Sequence, residues 1–457
     1  MQLPAEIFKA YDIRGIVGRT LTAPIVAAVG QALGSLALER GCDSIVVGRD
    51  GRLSGPEFAR ALADGIRSAG ANVVDIGMVT TPMTYFAAEH LATRCSAMVT
   101  GSHNPPEYNG LKMVIAGNTL SGDDIQHLRE RIAAGRLAKG QGSFRAQDVT
   151  QAYMERVTGD VKLARPMKIA VDCGNGIAGA YAPALFRRMG CDVVELFCDV
   201  DGHFPNHHPD PSQPKNLADL VARLAQGDCE LGLAFDGDGD RLGVVTRHGS
   251  VIFPDRQLML FAADVLARVP GATVIYDVKS TRNLKPWILS HGGQPMLWKT
   301  GHSLIKAKMK ETGAALAGEM SGHTFFGERW YGFDDGLYAG ARLLEIVSRH
   351  ADPGALLDAL PDALCTPELN IACAEGAQHT LVAELQRNAR FPTAREIIDL
   401  DGVRVEYADG FGLARASNTT PVIVLRFEAD SRDALARIQR EFRAVLEHAI
   451  PDVTLPF

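Results

Sequence analysis

The residues of this chain that could do chemistry fall in a few short segments. Asp236, Asp238 and Asp240 alternate with Gly237 and Gly239, so the backbone can curl and aim three carboxylates at one point. An oxygen-only set of this kind suits a hard divalent cation, magnesium or calcium. The opening is like that of an EF-hand loop, but Arg241 stands at the sixth position and Arg247 at the twelfth. Strand-like runs flank it where helices are needed, which excludes that reading.

Ser102 lies between Gly101 and His103, ahead of Asn104, Pro105 and Pro106. The turn is too stiff to continue as a helix and directly follows an apolar run, so it presents a hydroxyl. Asn104 occupies the second glycine position of an esterase elbow and excludes that chemistry. Taken alone, a serine in a polar turn is a turn former; the aspartates change its meaning. Three carboxylates and one dication leave a charge near -1, with room for one more anionic ligand. A phosphorylated Ser102, carrying roughly -1.5 to -2, would be that ligand, with Arg241, Lys112 and Arg14 as compensating charges. The metal would then polarise the phosphoryl group for transfer.

Glu319, Ser321 and His323 alternate with Met320 and Gly322. If extended, the segment points all three polar groups one way, a set suited to sugar hydroxyls. Lys299 to Ser303 (KTGHS) places His302 beside the same crevice, and both histidines are acid/base candidates. Arg415 to Thr420 (RASNTT) packs one cation with several neutral donors, as a phosphate clamp would. By itself it reads equally as a hairpin turn, and the amino-terminal KAYDIRG (9–15) is similarly ambiguous alone.

The elements that must position these groups are strand, helix, strand units that occur three times. Apolar runs at 44–48, 72–76 and 96–100 read as strands, with a helix from Pro56 to Ala69 between the first two. The pattern returns at 168–172, 192–196 and 231–235, and again at 273–277, 295–298 and 314–318. Ligands of parallel α/β sheets bind beyond the carboxyl ends of the strands. The third strand of each unit leads into a polar loop, TGSHNPP in the first, DGDGDR in the second and GEMSGH in the third. From about Pro367 the pattern changes to strand-like runs at 401–408, 410–417 and 421–429 and a helix from Ser431 to His448. The expected fold is three similar α/β domains, 1–148, 149–250 and 251–362, plus a smaller α+β domain, 363–457, around a central cleft. A single large doubly wound sheet is the alternative.

At 457 residues, with 46% hydrophobic and 22% charged residues, the chain is long enough for several cores. A net charge of -7 with mixed signs offers no basic stripe for nucleic acid or an anionic membrane. No run approaches the ~20 apolar residues of a membrane span, and the amino end lacks a signal-peptide pattern. A cytoplasmic location and a small-molecule partner are expected; oligomeric state is left open, a monomer included. The eight cysteines lack a Cys-x-x-Cys pair and are expected to be buried thiols.

TGSHNPPEYNG, DGDGDR, GEMSGH and RASNTTP, in order and one per domain, resemble the α-D-phosphohexomutase superfamily, and most its bacterial phosphomannomutase/phosphoglucomutase branch. The match runs from KAYDIRG to RASNTTP. It implies four domains around one deep cleft, with Ser102 as the phosphoserine and Asp236, Asp238 and Asp240 holding magnesium with it. Glu319 and Ser321 are implied to bind sugar hydroxyls. His323, Lys112, His302 and Arg14 are implied to handle protons, and Arg415, Ser417, Asn418 and Thr419 to grip the non-transferring phosphate. Tyr11 and Lys279 would line the cleft. The implied reaction interconverts hexose 1-phosphate and hexose 6-phosphate through a hexose 1,6-bisphosphate, which would also activate the dephosphorylated enzyme.

Phosphoglucosamine mutase is the nearest rival; Met320 stands where that branch usually has glutamine. A metal-dependent phosphatase using the same serine and a non-catalytic sugar-phosphate sensor are alternatives of other classes.

Overall fold

The computed structural model describes residues 3–374, 376–450 and 453–457. Four separate sheets replace the single large sheet kept open by the sequence. The first three share one plan. In each, the first strand sits centrally and pairs in parallel with the second on one side and the third on the other.

The first unit uses Ser44–Arg49, Asn72–Met78 and Ser96–Val99. The second uses Lys168–Asp172, Asp192–Leu196 and Leu231–Phe235. The third uses Thr273–Asp277, Gln294–Trp298 and Leu316–Gly318. The first and third strands of each unit are almost wholly buried, as strands covered on both faces are, whereas the second strands are partly exposed.

A fourth strand completes each plan and was not foreseen. Tyr108–Ile115, Leu242–Thr246 and Thr324–Phe326 each return antiparallel against the third strand of their unit. The three polar loops are therefore the tips of hairpins that hang off the carboxyl edge of parallel sheets. A hairpin ties both ends of a loop to the same sheet, which holds its side chains more firmly than a free connection would. The strand Val251–Ile252 pairs with Leu242–Thr246, so the second sheet runs two residues past the expected limit at 250.

The helix of the first unit spans Gly55–Ser68 with Pro56 in its first turn, and Phe58, Leu62 and Ile66, four apart, form its buried stripe. In the fourth domain, Val403–Glu406, Gly410–Ala416 and Val422–Ala429 form an antiparallel sheet. The helix Arg432–Ala449 packs on it through Ala434, Ile438, Phe442 and Leu446. The Ser431 hydroxyl caps that helix by accepting from the amide of Ala434 at 3.2 Å.

One apolar interior runs through the first three units, from Phe86 and Met98 through Phe235 to Phe261 and Tyr338. The fourth has its own core and meets the third where Val278 packs with Phe411 and Leu413. Among the described residues no helix is long and apolar enough to cross a membrane. The cysteines are only partly as expected: Cys365 is exposed and Cys198 and Cys373 are half-buried, because they lie on or beside sheet edges.

Candidate active site

The serine and aspartate loops meet. Ser102 Oγ lies 3.3 Å from Asp236 Oδ2 and 3.1 Å from Nδ1 of His103. Ser102 adopts a left-handed backbone, with φ of 48°, a strained conformation for a residue with a side chain that the surroundings must hold in place. Its amide donates to Thr100 Oγ1 at 2.8 Å, and that hydroxyl donates to Asp50 Oδ2 at 2.7 Å. Gly237 has to be glycine for the two loops to touch, since a Cβ there would sit 2.4 Å from the Ser102 carbonyl oxygen.

Asp236, Asp238 and Asp240 are wholly buried, with ligand atoms within 4.8 Å of one another. Asp238 Oδ1 and Asp240 Oδ1 have no hydrogen-bond partner among the described residues. Buried anionic oxygens without donors are costly, and an oxygen-seeking divalent cation would satisfy them, so the residues present fit such an ion. Gly239, with φ of 76°, makes the sharp turn between them.

The loop is fixed from three directions. The Thr81 amide donates to the Asp238 carbonyl at 2.9 Å, the Gly336 amide to that of Gly239 at 3.2 Å, and the Leu242 amide to that of Gly322 at 3.2 Å.

Lys112, on the returning strand of the first hairpin, spans the triad, with Nζ 2.7 Å from Asp238 Oδ2 and 2.5 Å from Asp240 Oδ2. Burial opposes its charge, yet the two carboxylates push its pKa well above the usual lysine range. Burial raises Asp238 and Asp240 as well, but Lys112 outweighs it and holds both below the usual carboxylate range, Asp240 with help from His323. Asp236 lacks such a partner: burial and its two acidic neighbours push it well up. Arg241 is the nearest cation to it, at 3.8 Å.

The third loop is a tight turn. The Gly322 amide donates to the Glu319 carbonyl at 3.0 Å and the Glu319 amide to that of His323 at 2.9 Å, so the condition of an extended segment is not met. The hairpin between Gly318 and Thr324 leaves too few residues to stay extended. The side chains converge nevertheless. His323 Nδ1 lies 3.0 Å from both Glu319 Oε2 and Ser321 Oγ, and Nε2 lies 3.3 Å from Asp240 Oδ1. Burial lowers His323, but Asp240 and Glu319 outweigh it and lift the pKa to about 9. His302 is pushed well below the usual imidazole range by burial and by Lys306. The two rings stand 5.6 Å apart with opposite proton affinities.

The fourth domain closes the ring. Arg415 is buried and is not a free cation: its Nε pairs with Asp401 Oδ2 at 3.2 Å. Ser417 Oγ lies 3.0 Å from Thr420 Oγ1 and 3.4 Å from Thr419 Oγ1. The Asn418 amide donates to the hydroxyl of Tyr11, which donates to the Thr300 carbonyl at 2.7 Å. Lys279 Nζ meets Glu368 Oε2 at 3.1 Å. Arg14 donates to Gly101 O at 3.0 Å and to the Asn104 side chain, so it braces the serine loop.

Several residues of this arrangement went unforeseen. Arg52 is buried and donates to the carbonyls of Ser102 at 2.8 Å, Asn104 at 2.5 Å, Pro105 at 2.6 Å and Tyr108 at 2.8 Å. Asp50 pairs with it at 3.4 Å. Their position in GRDGR, at the end of the first strand, was a readable signal. Asp334, Lys306 and Asp401 offered none, being charged residues in ordinary surroundings along the chain.

Over its length the chain matches four profiles of one family. They are described as phosphoglucomutase/phosphomannomutase alpha/beta/alpha domain I over residues 5–139, domain II over 151–249, domain III over 253–364, and the C-terminal domain over 368–445. It is 58% identical over 445 residues to a phosphoglucomutase of Neisseria gonorrhoeae, covering 97% of each chain. It is 55% identical over 456 residues to a phosphomannomutase/phosphoglucomutase of Pseudomonas aeruginosa, covering 100% of this chain and 98% of that one. The crystal structure of a phosphoglucomutase/phosphomannomutase family protein from Burkholderia thailandensis superimposes with a TM-score of 0.95 at 58% identity, covering 100% of both chains.

Proposed function

Given that the chain belongs to the phosphoglucomutase/phosphomannomutase family of the α-D-phosphohexomutase superfamily, we propose that it interconverts hexose 1-phosphate and hexose 6-phosphate through Ser102. It is an intramolecular phosphotransferase acting on glucose phosphates, mannose phosphates or both; the names of its relatives support that choice of sugar. The observation that carries the reading is the contact of Ser102 Oγ with Asp236 in a buried triad of carboxylates in which Asp238 Oδ1 has no hydrogen-bond partner among the described residues. A nucleophile aimed at a cation site is what phosphoryl transfer requires, and a binding module has no need of it.

Magnesium is the ion we assign to Asp236, Asp238 and Asp240, joined by the phosphate carried on Ser102. When bound it supplies charge stabilisation at the transferring phosphoryl group. Ser102 Oγ gives its phosphoryl group to the free hydroxyl of the substrate, whose proton must leave as the new P–O bond forms. His323, His302 and Lys112 are the groups we assign to proton handling, and of these His302 is the one held unprotonated and able to accept that proton.

The resulting hexose 1,6-bisphosphate turns around and returns its other phosphate to Ser102, with the same groups supplying the proton in reverse. The bisphosphate is thus also the activator of dephosphorylated enzyme. Glu319 and Ser321 bind sugar hydroxyls. Arg415, Ser417, Asn418 and Thr419 hold the idle phosphate, with Tyr11 and Lys279 along the cleft and Arg14 and Arg241 offsetting phosphate charge. The domain limits 1–148, 149–250, 251–362 and 363–457 belong to the same proposal, with the second moved beyond Ile252.

A coupled assay with glucose 1-phosphate, mannose 1-phosphate and glucosamine 1-phosphate, in magnesium with a trace of 1,6-bisphosphate, tests the reading. Turnover of the first two is expected. Preference for glucosamine 1-phosphate would reassign the sugar, and release of inorganic phosphate without isomerisation would make the protein a phosphatase.

A further inference from the structure

Two thiols lie behind the loops of the active site. Cys173 follows the strand Lys168–Asp172, and Cys198 comes shortly after its parallel neighbour Asp192–Leu196. Phe197 adopts a left-handed backbone, with φ of 50°, and this turn folds the Cys198 side chain back over the strand ends. Its Sγ stands 3.6 Å from Cys173 Sγ, 3.6 Å from the Val171 carbonyl oxygen and 3.4 Å from that of Leu196. The two sulfurs are in contact, and a disulfide of about 2.05 Å needs a closure of about 1.5 Å. Cys173 is buried, whereas Cys198 is half-buried and open to a small reagent.

Each thiol belongs to a turn that supports one of the two loops. After Cys173, the Gly176 amide donates to the Cys173 carbonyl at 2.7 Å and the Ile177 amide to the Gly237 carbonyl at 3.1 Å, inside the aspartate loop. A Cβ on Gly176 would lie 2.9 Å from Gly237 Cα, so the two turns touch. After Cys198, the Asp199 carbonyl accepts from the Asn175 side chain at 2.8 Å. Further on, Gly202 packs against the Gly51 carbonyl and the Leu53 amide with no room for a Cβ, and the Phe204 ring lies 5.2 Å from the guanidinium of Arg52. Arg52 is the residue that holds the serine loop. The strand ends themselves have little freedom, since the Cys173 amide donates to the Leu196 carbonyl at 3.2 Å and a Cβ on Gly179 would overlap the Cys198 carbonyl. A closure of about 1.5 Å must therefore be taken up by the two turns.

We infer that Cys173 and Cys198 are an oxidant-sensitive pair, which a hydroperoxide converts to a disulfide that reversibly lowers turnover. The Cys198 sulfur attacks one peroxide oxygen. The O–O bond breaks, the thiol proton leaves with the departing oxygen, and Cys198 becomes a sulfenic acid. The Cys173 sulfur then attacks the Cys198 sulfur; the S–O bond breaks as the S–S bond forms, and the Cys173 proton leaves with the hydroxide as water. Together the two thiols lose two electrons, and one hydroperoxide is reduced. Burial pushes the Cys173 thiol well up, so it stays protonated until a sulfenic acid forms in contact with it. The loss of turnover rests on the mutase reading; the disulfide itself does not.

Hydrogen peroxide is the probe. Reduced full-length protein is treated, quenched with catalase, alkylated in denaturant and digested without reductant. A peptide linking Cys173 to Cys198 is expected. The kcat of the oxidised protein should be lower by about tenfold or more, the scale on which misplaced catalytic groups act, and dithiothreitol should restore it. Cys198→Ala should turn over like wild type before peroxide and keep that rate after it. The peptide map of the wild-type protein needs no variant to fold. Cys198 carried to sulfinic or sulfonic acid without the linked peptide, a link to a different cysteine, or an unchanged kcat in the linked protein overturns the inference. So does a loss of turnover in Cys198→Ala equal to that of wild type. Reduced protein that fails to isomerise hexose phosphates would sink the mutase reading instead, and the linked peptide would still decide the pair.

Discussion

Ser102 Oγ stands 3.3 Å from Asp236 Oδ2 although the two residues are 134 positions apart and belong to different sheets. Each sits at the tip of a hairpin at the carboxyl end of a parallel strand. The site therefore exists only when the two units are packed against each other, which the apolar interior that they share secures.

Asp240→Asn tests the cation's role. The substitution removes one negative charge from the triad but keeps an oxygen there. It should raise the magnesium concentration needed for half-maximal rate and lower kcat more than it raises KM, since the ion acts on charge that develops in the transition state. An unchanged magnesium titration would contradict the assignment.

Arg52→Ala should cost about 3 to 5 kcal/mol of stability, the usual result of breaking a buried ion pair by removing one member, and should also leave four loop carbonyls short of a donor. Arg52→Lys should restore part of the stability but little turnover, because lysine cannot fan out to carbonyls in different directions. Denaturant unfolding alongside saturation kinetics checks both. A variant that is stable and fully active would show that the serine loop holds its left-handed turn unaided.

Arg415→Ala concerns the phosphate clamp. A charge-assisted bond to phosphate is typically worth about 1.5 to 3 kcal/mol, so KM should rise roughly tenfold to a hundredfold. The rise should be similar for 1-phosphate and 6-phosphate substrates, because one clamp serves both orientations. Asp401→Asn, which frees Arg415 from its partner, should change KM in both directions alike. A large effect on only one substrate would mean two phosphate sites.

Asp335 offers a test of stability against pH. It caps the helix Gly336–Val347, accepts from the Tyr153 hydroxyl, and is pushed by burial up to about 7. In the unfolded chain it ionises in the ordinary carboxylate range. Its contribution is therefore fully present at acid pH and is lost as pH rises toward 7, after which the loss is constant. Asparagine caps a helix equally well. The stability of wild type relative to Asp335→Asn should thus fall between about pH 4 and pH 7; a difference independent of pH would refute the shift.

Much of this site was legible because loop chemistry was written next to strand ends. Asp236, Asp238 and Asp240 and Ser102 each come directly after a run of apolar residues, and parallel strands deliver such loops to one edge. Less legible were contacts set by the returning strands. Lys112 looked like one cation among several, and only the pairing of Met98 with Lys112 turns its side chain onto the triad. The tight turn that carries Glu319, Ser321 and His323 was not legible, since the strand after them, Thr324–Phe326, is only three residues long and too short to announce a hairpin. Asp334 and Asp401 could not be found at all. Each acts through a partner far along the chain, Lys306 and Arg415, and nothing local to either distinguishes it from a surface acid.

The most direct test tracks one phosphoryl group through a single turnover. Enzyme carrying labelled phosphate on Ser102, verified by intact mass and peptide mapping, is mixed with a slight excess of unlabelled glucose 1-phosphate in magnesium and quenched. The account predicts that the label leaving Ser102 is recovered in hexose 1,6-bisphosphate and then in hexose 6-phosphate, the two together equal to the label lost, and that Ser102→Ala neither acquires label nor turns over above about a thousandth of the wild-type rate. Label that stays on Ser102 while product accumulates, or that appears only as inorganic phosphate, would contradict it.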